Sequence, residues 1–297
     1  MKKYIILLLY VVSMSWIPLM SYGQHSLSYN QFGQLRTAFN GSLSLMDPNG
    51  AATILTRQQW VGIDGAPKSY WVSGHMGIKR FGATVGLDMR QVSLGVEKER
   101  ELSAYVASAV RLSEKEYLGL SLGGGILMHT GEYSKLAPSD PLFAQDTRTN
   151  QGVVSISTSY FKEDTYYVGV SIPRFVLNKR HRDQDYHFRQ VYYATGGALL
   201  RIDDGFHVRP SFIVSHMEGS GARFDVNALA FFAQKFGIGL GVQNKGDLAG
   251  LLQLNIGNIG VGYSYQFSPG NAVNSQRISS NTHEVGLRYR VGGIKML

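Results

Sequence analysis

Cysteine is absent from the 297 residues, which excludes disulfide bonds and thiolate metal sites. Charged residues are also scarce, at 17% of the chain. Because the lysines and arginines are scattered and form no basic stripe, no nucleic-acid partner is expected. Beyond residue 24 the chain lacks an apolar run of the roughly 20 residues that a membrane-spanning helix requires. Helical membrane spans are therefore not expected in the mature chain.

The N-terminus has the organisation of a secretory signal peptide. Lys2 and Lys3 precede an apolar run that ends near Met20, and small residues just before Gln24 predict a cleavage site there. We therefore expect residues 1–23 to direct export and then to be removed. Loss of the two lysines lowers the formal net charge from +8 to +6, so the basic balance of the exported chain is mild.

The stretch 236–267 shows a pattern that recurs through the rest of the chain. In its first segment, 236–243, four apolar residues alternate with Gly and Gln, and segments 248–257 and 259–267 repeat the alternation. Successive side chains of a strand point to opposite faces, so each segment has one apolar face and one small or polar face. Such strands fit a soluble sandwich, whose polar face meets water, or an outer-membrane barrel, whose apolar face meets lipid.

Fourteen segments carry this alternation and are predicted to be strands. They cover residues 51–61, 67–79, 80–91, 102–112, 116–129, 151–162, 164–173, 190–202, 205–216, 222–233, 235–244, 248–257, 259–268 and 282–292. The links after even-numbered strands are short, whereas those after odd-numbered strands are generally longer, above all 130–150, 174–189 and 268–281. Outer-membrane barrels have short periplasmic turns and long outer loops. The alternation of link lengths therefore favours the barrel.

The predicted fold is all-β: a transmembrane, antiparallel, up-and-down β-barrel of about 14 strands in the cell outer membrane. Residues 51–297 form the barrel in this interpretation, and residues 24–50 form an N-terminal periplasmic segment. Because both termini of such barrels lie in the periplasm, the loops 130–150 and 174–189 are expected to face outward.

The predicted lumen carries charges of both signs. The polar faces of the strands place there Asp88, Arg90, Arg111, Arg209, Arg223, Asp225, Glu284, Arg288 and Arg290. Mixed signs favour internal salt bridges, and the excess of arginine also suits an acidic or carboxylate-bearing tail, because guanidinium binds carboxylates in a bidentate manner. A barrel of this size encloses a lumen that side chains, loops or a partner segment must fill.

Two patterns resemble functional sites, one catalytic and one metal-binding. The run Gly119-Leu120-Ser121-Leu122-Gly123 fits a nucleophile elbow, but that motif needs a sharp strand-to-helix turn, and here it lies inside an alternating strand. The second pattern is the cluster His181, Asp183, Asp185 and His187. It does not match a recognised metal-ligand spacing, so we interpret it as part of a charged outer loop. We therefore expect no enzyme activity, no metal and no cofactor.

Short motifs distributed over most of the chain resemble those of a known family. They are Arg57-Gln58-Gln59-Trp60, Gly62 and Gly65-Ala66-Pro67 in the first hairpin, then Asp140-Pro141, Ser171-Ile172-Pro173, Pro210-Ser211, Gly262-Tyr263-Ser264-Tyr265, and His283-Glu284 with Leu287 and Tyr289. In these residues and in their order the chain is similar to the PorP/SprF-type membrane proteins of the Bacteroidetes type IX secretion and gliding machinery.

The resemblance implies a non-catalytic outer-membrane barrel of the type IX secretion and gliding motility machinery. Its expected partners are outer-membrane lipid, other type IX secretion components and the C-terminal domain of a secreted adhesin, which it would help to export or to anchor at the surface. Two other classes remain open: a general or solute-selective porin, which needs an unobstructed polar lumen, and an outer-membrane hydrolase, which needs Ser and His at one level of the barrel.

The family-like motifs predict one more contact. Closing a barrel pairs the first strand with the last, because an open edge in lipid leaves backbone groups unsatisfied. Residues at the outer ends of these two strands would then be neighbours although nearly the whole chain separates them. We expect this corner to lock barrel closure or to contact the partner; its candidate residues are Arg57, Gln59, Trp60, Gly65, Ala66, Pro67, His283 and Glu284.

Overall fold

The computed structural model describes residues 28–136, 140, 145–176, 189–218, 220–244, 246–267 and 281–292. The predicted signal peptide, the cluster between residues 181 and 187, and parts of the three longest links lie outside the described residues. None of the described helices is long and apolar enough to cross a membrane.

Fifteen strand segments form one antiparallel sheet. They are β1 (Ala51–Gln59), β2 (Lys68–Ile78), β3 (Ala83–Leu94), β4 (Glu97–Arg111), β5 (Glu116–Gly131), β6 (Thr147–Lys162), β7 (Tyr166–Val176), β8 (Val191–Ala198), β9 (Leu200–Arg201), β10 (Phe206–Met217), β11 (Arg223–Phe232), β12 (Phe236–Gln243), β13 (Leu248–Ile256), β14 (Ile259–Phe267) and β15 (Thr282–Arg290). Both β8 and β9 pair with β10 in one register and are separated only by Leu199. The two segments therefore make one barrel strand, and the barrel has the predicted fourteen.

The sheet closes on itself through the pairing of β1 with β15. Its register runs from Ala51 opposite Arg290 to Gln59 opposite Thr282, without a break. Every strand thus has two partners, which leaves no open edge. The prediction of a closed antiparallel barrel is confirmed.

The two faces of the wall differ as the alternation requires. Large apolar side chains are exposed on the outside, such as Ile54, Val72, Met89 and Leu240. Most inward positions of the same strands are small or polar and are largely buried, and Thr53 of β1 is one of them. This is the arrangement of a barrel whose outer surface meets lipid and whose interior is polar.

The two ends of the barrel are distinct. We call the end with the short turns the turn end; Gly50, which leads into β1, and Val291, which follows β15, lie there and share a backbone hydrogen bond of 3.0 Å. We call the opposite end, which carries the β1–β2 hairpin 60–67 and the longest links, the loop end.

Residues 28–50, which we call the plug, fill the lumen. Almost all of them are buried, and they include a short helix α1 (Arg36–Phe39) and a 3-10 turn (Gly41–Met46). Ser28 contacts the loop-end residues Arg223 and Gln243, whereas Gly50 enters β1 at the turn end, so the plug runs along the barrel axis. The expected periplasmic location of residues 24–50 is therefore corrected for the described part of that segment, which lies inside the barrel.

Apolar contacts hold the plug to the wall at two levels. Towards the loop end, Tyr29 and Phe39 of the plug pack on Trp71 of β2, with ring centroids 5.4 and 5.3 Å apart, and Phe39 packs on Tyr193 of β8 at 5.2 Å. A second cluster surrounds the buried Leu43 and includes residues of β6, β7, β11 and β13. Exposing these side chains in the periplasm would cost about 1.5–3 kcal/mol each, which is why the segment lies inside.

Glycines in the wall make room for the plug. A Cβ atom at Gly262 of β14 would overlap the side chains of Gln31 and Gln34, and one at Gly169 of β7 would come within 2.6 Å of the Asn40 amide nitrogen. The small inward face of these strands is thus the surface on which the plug rests.

The contact between plug and wall can be tested with a disulfide. Thr37 Oγ1 of the plug lies 3.1 Å from Ser73 Oγ of β2, so a Thr37→Cys, Ser73→Cys pair is expected to oxidise spontaneously in this cysteine-free chain. Mass spectrometry of alkylated protein measures the bridge. The control pair, Thr37→Cys with Ser108→Cys on the outer face of β4, should remain reduced. Bridging in both pairs, or in neither, would contradict the position of the plug.

Candidate functional site

The seam between β1 and β15 carries a buried ion pair. Arg57 and Glu284 are opposite each other in the register, and an Arg57 Nη1–Glu284 Oε1 contact joins them inside the lumen. The exposed fractions of the two residues are 3% and 0%. Arg57 Nη2 also donates to Gln266 Oε1 of β14 at 3.2 Å. The predicted neighbours of the seam thus meet, on its lumen side and towards the loop end.

The same carboxylate holds the plug. Glu284 Oε1 accepts the backbone N–H of Asn30 at 2.9 Å, and Oε2 accepts that of Gln31 at 3.0 Å. Ser264 Oγ donates to Oε2 at 3.3 Å. With Arg57, one buried carboxylate therefore receives four donors, two of them from the plug backbone, which offsets the cost of removing its charge from water. Glu284 joins the closing seam to the plug.

Polar side chains of β11 also hold the beginning of the plug. Arg223 Nη2 donates to Ser28 Oγ at 2.5 Å, and its Nε lies 3.1 Å from Asp225 Oδ1. Asn227 Nδ2 donates to the carbonyl of Asn30 at 2.5 Å. Residues 28–31 are thus bonded to β11 and to β15 at the loop end.

The middle of the plug is held by short polar side chains. Asn40 is the N-cap of the 3-10 turn and accepts from Ser42 N at 3.1 Å, while its amide donates to the carbonyl of Thr158 at 3.1 Å. Ser42 Oγ donates to Ser159 Oγ at 2.8 Å, and Ser44 Oγ lies 2.5 Å from Thr84 Oγ1. All of these contacts join uncharged groups.

A charged cluster joins the plug to the turn end of the wall. Asp47 Oδ2 lies 2.7 Å from Arg36 Nη2 and 2.8 Å from Arg288 Nη2, and Asp47 Oδ1 lies 3.6 Å from Arg290 Nε. Arg288 Nη1 donates to the carbonyl of Gln34 at 2.9 Å. Both ends of the plug are therefore bound by ion-pair networks.

A third network lies at the loop end on β3, β4 and β7. Arg90 contacts Glu99 and lies 3.3 Å from Glu101, and Arg174 lies 3.4 and 3.5 Å from the same two carboxylates. Tyr133 donates to Glu97 at 2.7 Å. β4 begins at Glu97, five residues before its predicted start at residue 102. The inward carboxylates are accommodated in the wall because arginines on neighbouring strands compensate their charge.

The other residues of the seam corner have separate roles. Trp60 N donates to the carbonyl of Asn281 at 2.8 Å, which extends the seam by one bond. The carbonyl of Gly65, whose φ is 73°, accepts from Gly95 N at 2.8 Å, and Ala66 and Pro67 are buried at the base of the hairpin. Gln59 is half-buried at the end of β1. These residues shape the hairpin and fasten it to its neighbours.

His283 does not join this inward group. Its side chain lies on the outer face, where Nδ1 is 2.8 Å from the hydroxyl of Tyr263 on β14. The ring also contacts Tyr265, at 5.1 Å between centroids. Because Glu284 is the next residue, the alternation of the strand sends the two side chains to opposite faces of the wall.

Apart from Glu284 of the seam corner, eight residues were predicted to face the lumen. Seven of them lie inside the barrel: Asp88, Arg90, Arg209, Arg223, Asp225, Arg288 and Arg290. Arg111 is the exception and corrects the prediction. It is exposed at the turn end, where its guanidinium donates to the carbonyls of Ser113 at 2.9 Å and Glu114 at 2.8 Å. β4 ends at Arg111, so the lumen wall no longer holds its side chain inward.

The serine of the elbow-like motif lies in the middle of a regular strand. Ser121 of β5 pairs with Ser157 in an unbroken register, and its side chain is buried against Gly41 of the plug. The sharp turn that exposes a nucleophile is absent at this position. Among the described residues, no group of three or more His, Asp or Glu side chains is placed to hold a metal ion.

The residues of the plug were missed by sequence reasoning. Asn30, Gln31, Arg36, Asn40 and Asp47 are buried and bonded to the wall, yet none was predicted to lie in the lumen. The available signal was the composition of residues 28–47, in which aromatic and aliphatic residues alternate irregularly with uncharged polar ones. Such a mixture suits a segment enclosed by a polar wall.

Comparison with solved structures finds matches at low sequence identity. A Pseudomonas aeruginosa FadL homologue has a TM-score of 0.48 and 9% identity, and the match covers 86% of this chain and 93% of that one. The Acinetobacter baumannii outer membrane protein Omp33 has a TM-score of 0.47 and 8% identity over 82% of this chain and 100% of its own. The CymD monoaromatic hydrocarbon channel has a TM-score of 0.47 and 11% identity over 84% and 92%.

A search of curated protein sequences found no match. The family comparison is specific: residues 21–289 match the model of the type IX secretion system membrane protein PorP/SprF. That range contains the seam corner, the plug and all fifteen strand segments up to Tyr289. With a closed barrel, an apolar outer surface and a match over nearly its whole length, the chain belongs to the PorP/SprF family of type IX secretion system membrane proteins.

Proposed function

We propose that the protein is a non-catalytic component of the type IX secretion and gliding machinery that holds, or helps to export, a secreted surface protein at its loop end. The observation that carries the proposal is the occupied lumen: the plug is bonded to the wall at three levels and along the whole axis. A barrel built to pass solutes needs an open polar lumen. A filled barrel is suited to present a fixed outer surface to a protein partner, such as the C-terminal domain of an adhesin.

The β1–β2 hairpin is the best candidate for that surface among the described residues. Val61 and Ile63 are 49% and 41% exposed at its tip, beyond the end of the strands. The buried base of the hairpin and the Gly65–Gly95 hydrogen bond hold this tip in place. An exposed apolar pair on a fixed loop is the kind of anchor that protein partners use.

Capture from membranes tests the proposal. A tagged wild-type chain, extracted from the outer membrane in mild detergent, is expected to co-purify with a secreted surface protein, identified by mass spectrometry. Ile63→Asp should lower the captured amount by about tenfold, because it places a charge at the apolar contact. The control Leu112→Asp makes the same change at an exposed turn-end position. Equal capture by the wild type and Ile63→Asp would exclude the hairpin as the contact, and capture of no secreted protein would overturn the proposed function.

We also propose an orientation for the barrel. Because outer-membrane barrels have short periplasmic turns and long outer loops, the loop end faces outward and the turn end faces the periplasm. Asp64→Cys in the exposed hairpin should react on intact cells with a membrane-impermeant maleimide, whereas Asp204→Cys, exposed at the turn end, should react only after lysis. Labelling is measured by gel shift, with the cysteine-free wild type as the blank. The reverse pattern would place the loop end in the periplasm.

A further inference from the structure

A row of cationic and hydroxyl side chains crosses the outer face of the wall at the loop end. Each of the strands β2 to β6 contributes the outward residue that lies nearest the loop end: Lys68, Ser93, Lys98, Thr130 and Arg148. Each of these residues is opposite the next one in the strand register, so the five side chains are neighbours on one surface. We call this set the cationic row.

The cations of the row are regularly spaced. They lie on alternate strands, β2, β4 and β6, and a hydroxyl residue lies on each strand between them. Because adjacent strands are about 4.8 Å apart, successive cations are separated by about 10 Å at the backbone. Arg100 adds a further cation on the outer face of β4, where its Nε donates to Gln91 Oε1 at 3.0 Å.

The wall does not balance this charge. The carboxylates in the loop-end part of β4 point into the lumen, where Arg90 and Arg174 neutralise them. The outward positions in the loop-end halves of β2 to β6 hold no Asp or Glu. Within the part of the chain that the structure describes, the side chains of Lys68, Lys98 and Arg148 make no hydrogen bond or ion pair.

Two acidic residues lie near the row but have other partners. Glu132 follows β5 and pairs with Lys135, at 2.6 Å between Oε2 and Nζ. Asp146 precedes β6 and accepts the backbone N–H of Ser134 at 3.1 Å. Their charges act on Lys98 and Arg148 only at longer range. The row therefore remains a net positive surface.

The far side of the barrel has a different outer face at the loop end. In the described strands β11 to β14, the outward residues nearest the loop end are all apolar: Phe224, Val242, Leu248 and Phe267. A rim that needed only to be wettable would be polar around its whole circumference. The restriction of the cations to β2–β6 therefore indicates a site for an anion on this side.

The apolar outer surface begins close to the row. Val72 lies four residues from Lys68 on β2, and Leu102 lies four residues from Lys98 on β4; these two apolar side chains are 44% and 42% exposed. Lipid phosphates lie at the boundary between the acyl chains and water, and long Lys and Arg side chains extend to that level. Basic groups at this level attract anionic lipids, and their N–H donors form charge-assisted hydrogen bonds with phosphate oxygens.

We propose that the cationic row binds the headgroup of a membrane lipid that carries more than one phosphate. The repeat of cation, hydroxyl and cation offers two places for a phosphate group. One place is at Ser93, between Lys68 and Lys98, and the other is at Thr130, between Lys98 and Arg148. The row lies on the outer wall and not on the hairpin tip, so this site does not depend on the proposed function.

Native mass spectrometry of the purified barrel in mild detergent tests the site, with diphosphoryl lipid A as the probe. Monophosphoryl lipid A with the same acyl chains is the reference. The diphosphoryl form should bind about tenfold more tightly, because only this form fills both places. The double variant Lys68→Gln, Lys98→Gln should weaken its binding by about tenfold or more, since each cation near an anionic lipid surface contributes about fivefold.

The matched control is the double variant Lys115→Gln, Lys235→Gln, which removes two exposed lysines from the turn end and should leave the affinity unchanged. A second test variant, Thr130→Glu, places a carboxylate between Lys98 and Arg148 and should weaken diphosphoryl lipid A binding by about tenfold through repulsion. The folded band on detergent gels confirms that each variant is assembled.

Three results would overturn the site. The first is equal affinity of the wild type for the two forms of lipid A. The second is an equal loss of affinity in the row and turn-end double variants, which would indicate a general effect of net charge. The third is displacement of the lipid by millimolar inorganic phosphate, which would identify a free anion as the ligand.

Discussion

Glu284→Ala is expected to lower the free energy of unfolding by about 3–5 kcal/mol, the effect of removing one partner of a buried ion pair. Alanine would leave the Arg57 guanidinium buried without its counter-charge, and the N–H groups of Asn30 and Gln31 without their acceptor. The urea midpoint of the folded, fast-migrating band on detergent gels measures the loss. Protease cleavage within residues 28–50 should also become faster, since the plug loses a bond to the wall.

The control Glu114→Ala makes the same truncation in an exposed turn and should change the stability by no more than about 0.5 kcal/mol. Arg57→Ala should be destabilising by an amount similar to that of Glu284→Ala. The double variant should lose clearly less than the sum of the two, because both single variants break the same interaction. Additive losses would mean that Arg57 and Glu284 act independently and that the seam pair is not a shared lock.

The barrel could be predicted because its determinants are local. A strand in a barrel wall repeats every two residues, so the predicted segment 248–257 differs from the observed β13, Leu248–Ile256, by one residue. Closure then follows from the need to satisfy every backbone group in lipid. From these two rules the opposition of Arg57 and Glu284 could be expected before their contact was seen.

The position of the plug depends on contacts that no local pattern encodes. Asn30 and Glu284 are 254 residues apart in the sequence, and Ser42 meets Ser159 across 117. Residues 28–50 have no strand periodicity, and their short helical segments become buried only because a closed wall surrounds them. Sequence reasoning could therefore identify Glu284 as a seam residue but could not identify its second role as an acceptor for the plug.

Charges near strand ends were the other source of error. The charged run Glu97–Glu101 is typical of a solvated link in sequence. In the structure it forms the first part of β4, because Arg90 and Arg174 neutralise its inward carboxylates. Arg111 has the inward parity of its strand but bonds instead to the carbonyls of the following turn. In both cases the partners lie on other strands or in a turn, so the alternation alone cannot decide where the side chain lies.

The filled lumen also provides a test that distinguishes the proposed function from the porin interpretation. A deletion of residues 28–46 is expected to raise ion conductance in planar bilayers by about tenfold or more over the wild type, because a barrel of fourteen strands without its plug encloses a wide polar channel. In the wild type, Ser28 at the loop end and Asp47 at the turn end hold the plug across the full length of this lumen. The wild type should therefore conduct poorly although its lumen is polar.

The disulfide between Thr37→Cys and Ser73→Cys provides the matched control, because it retains the plug and fixes it to β2. The oxidised variant should conduct as poorly as the wild type. If the deletion does not assemble, replacing Asn40, Ser42 and Ser44 by alanine removes the polar bonds at the middle level and should raise the conductance in the same direction. A wild type that already conducts like the deletion would favour the porin interpretation, since the plug would then leave a continuous path for solutes. Low conductance that rises only when the plug is lost would support the proposed function, in which the filled lumen has a structural role and the loop end binds the partner.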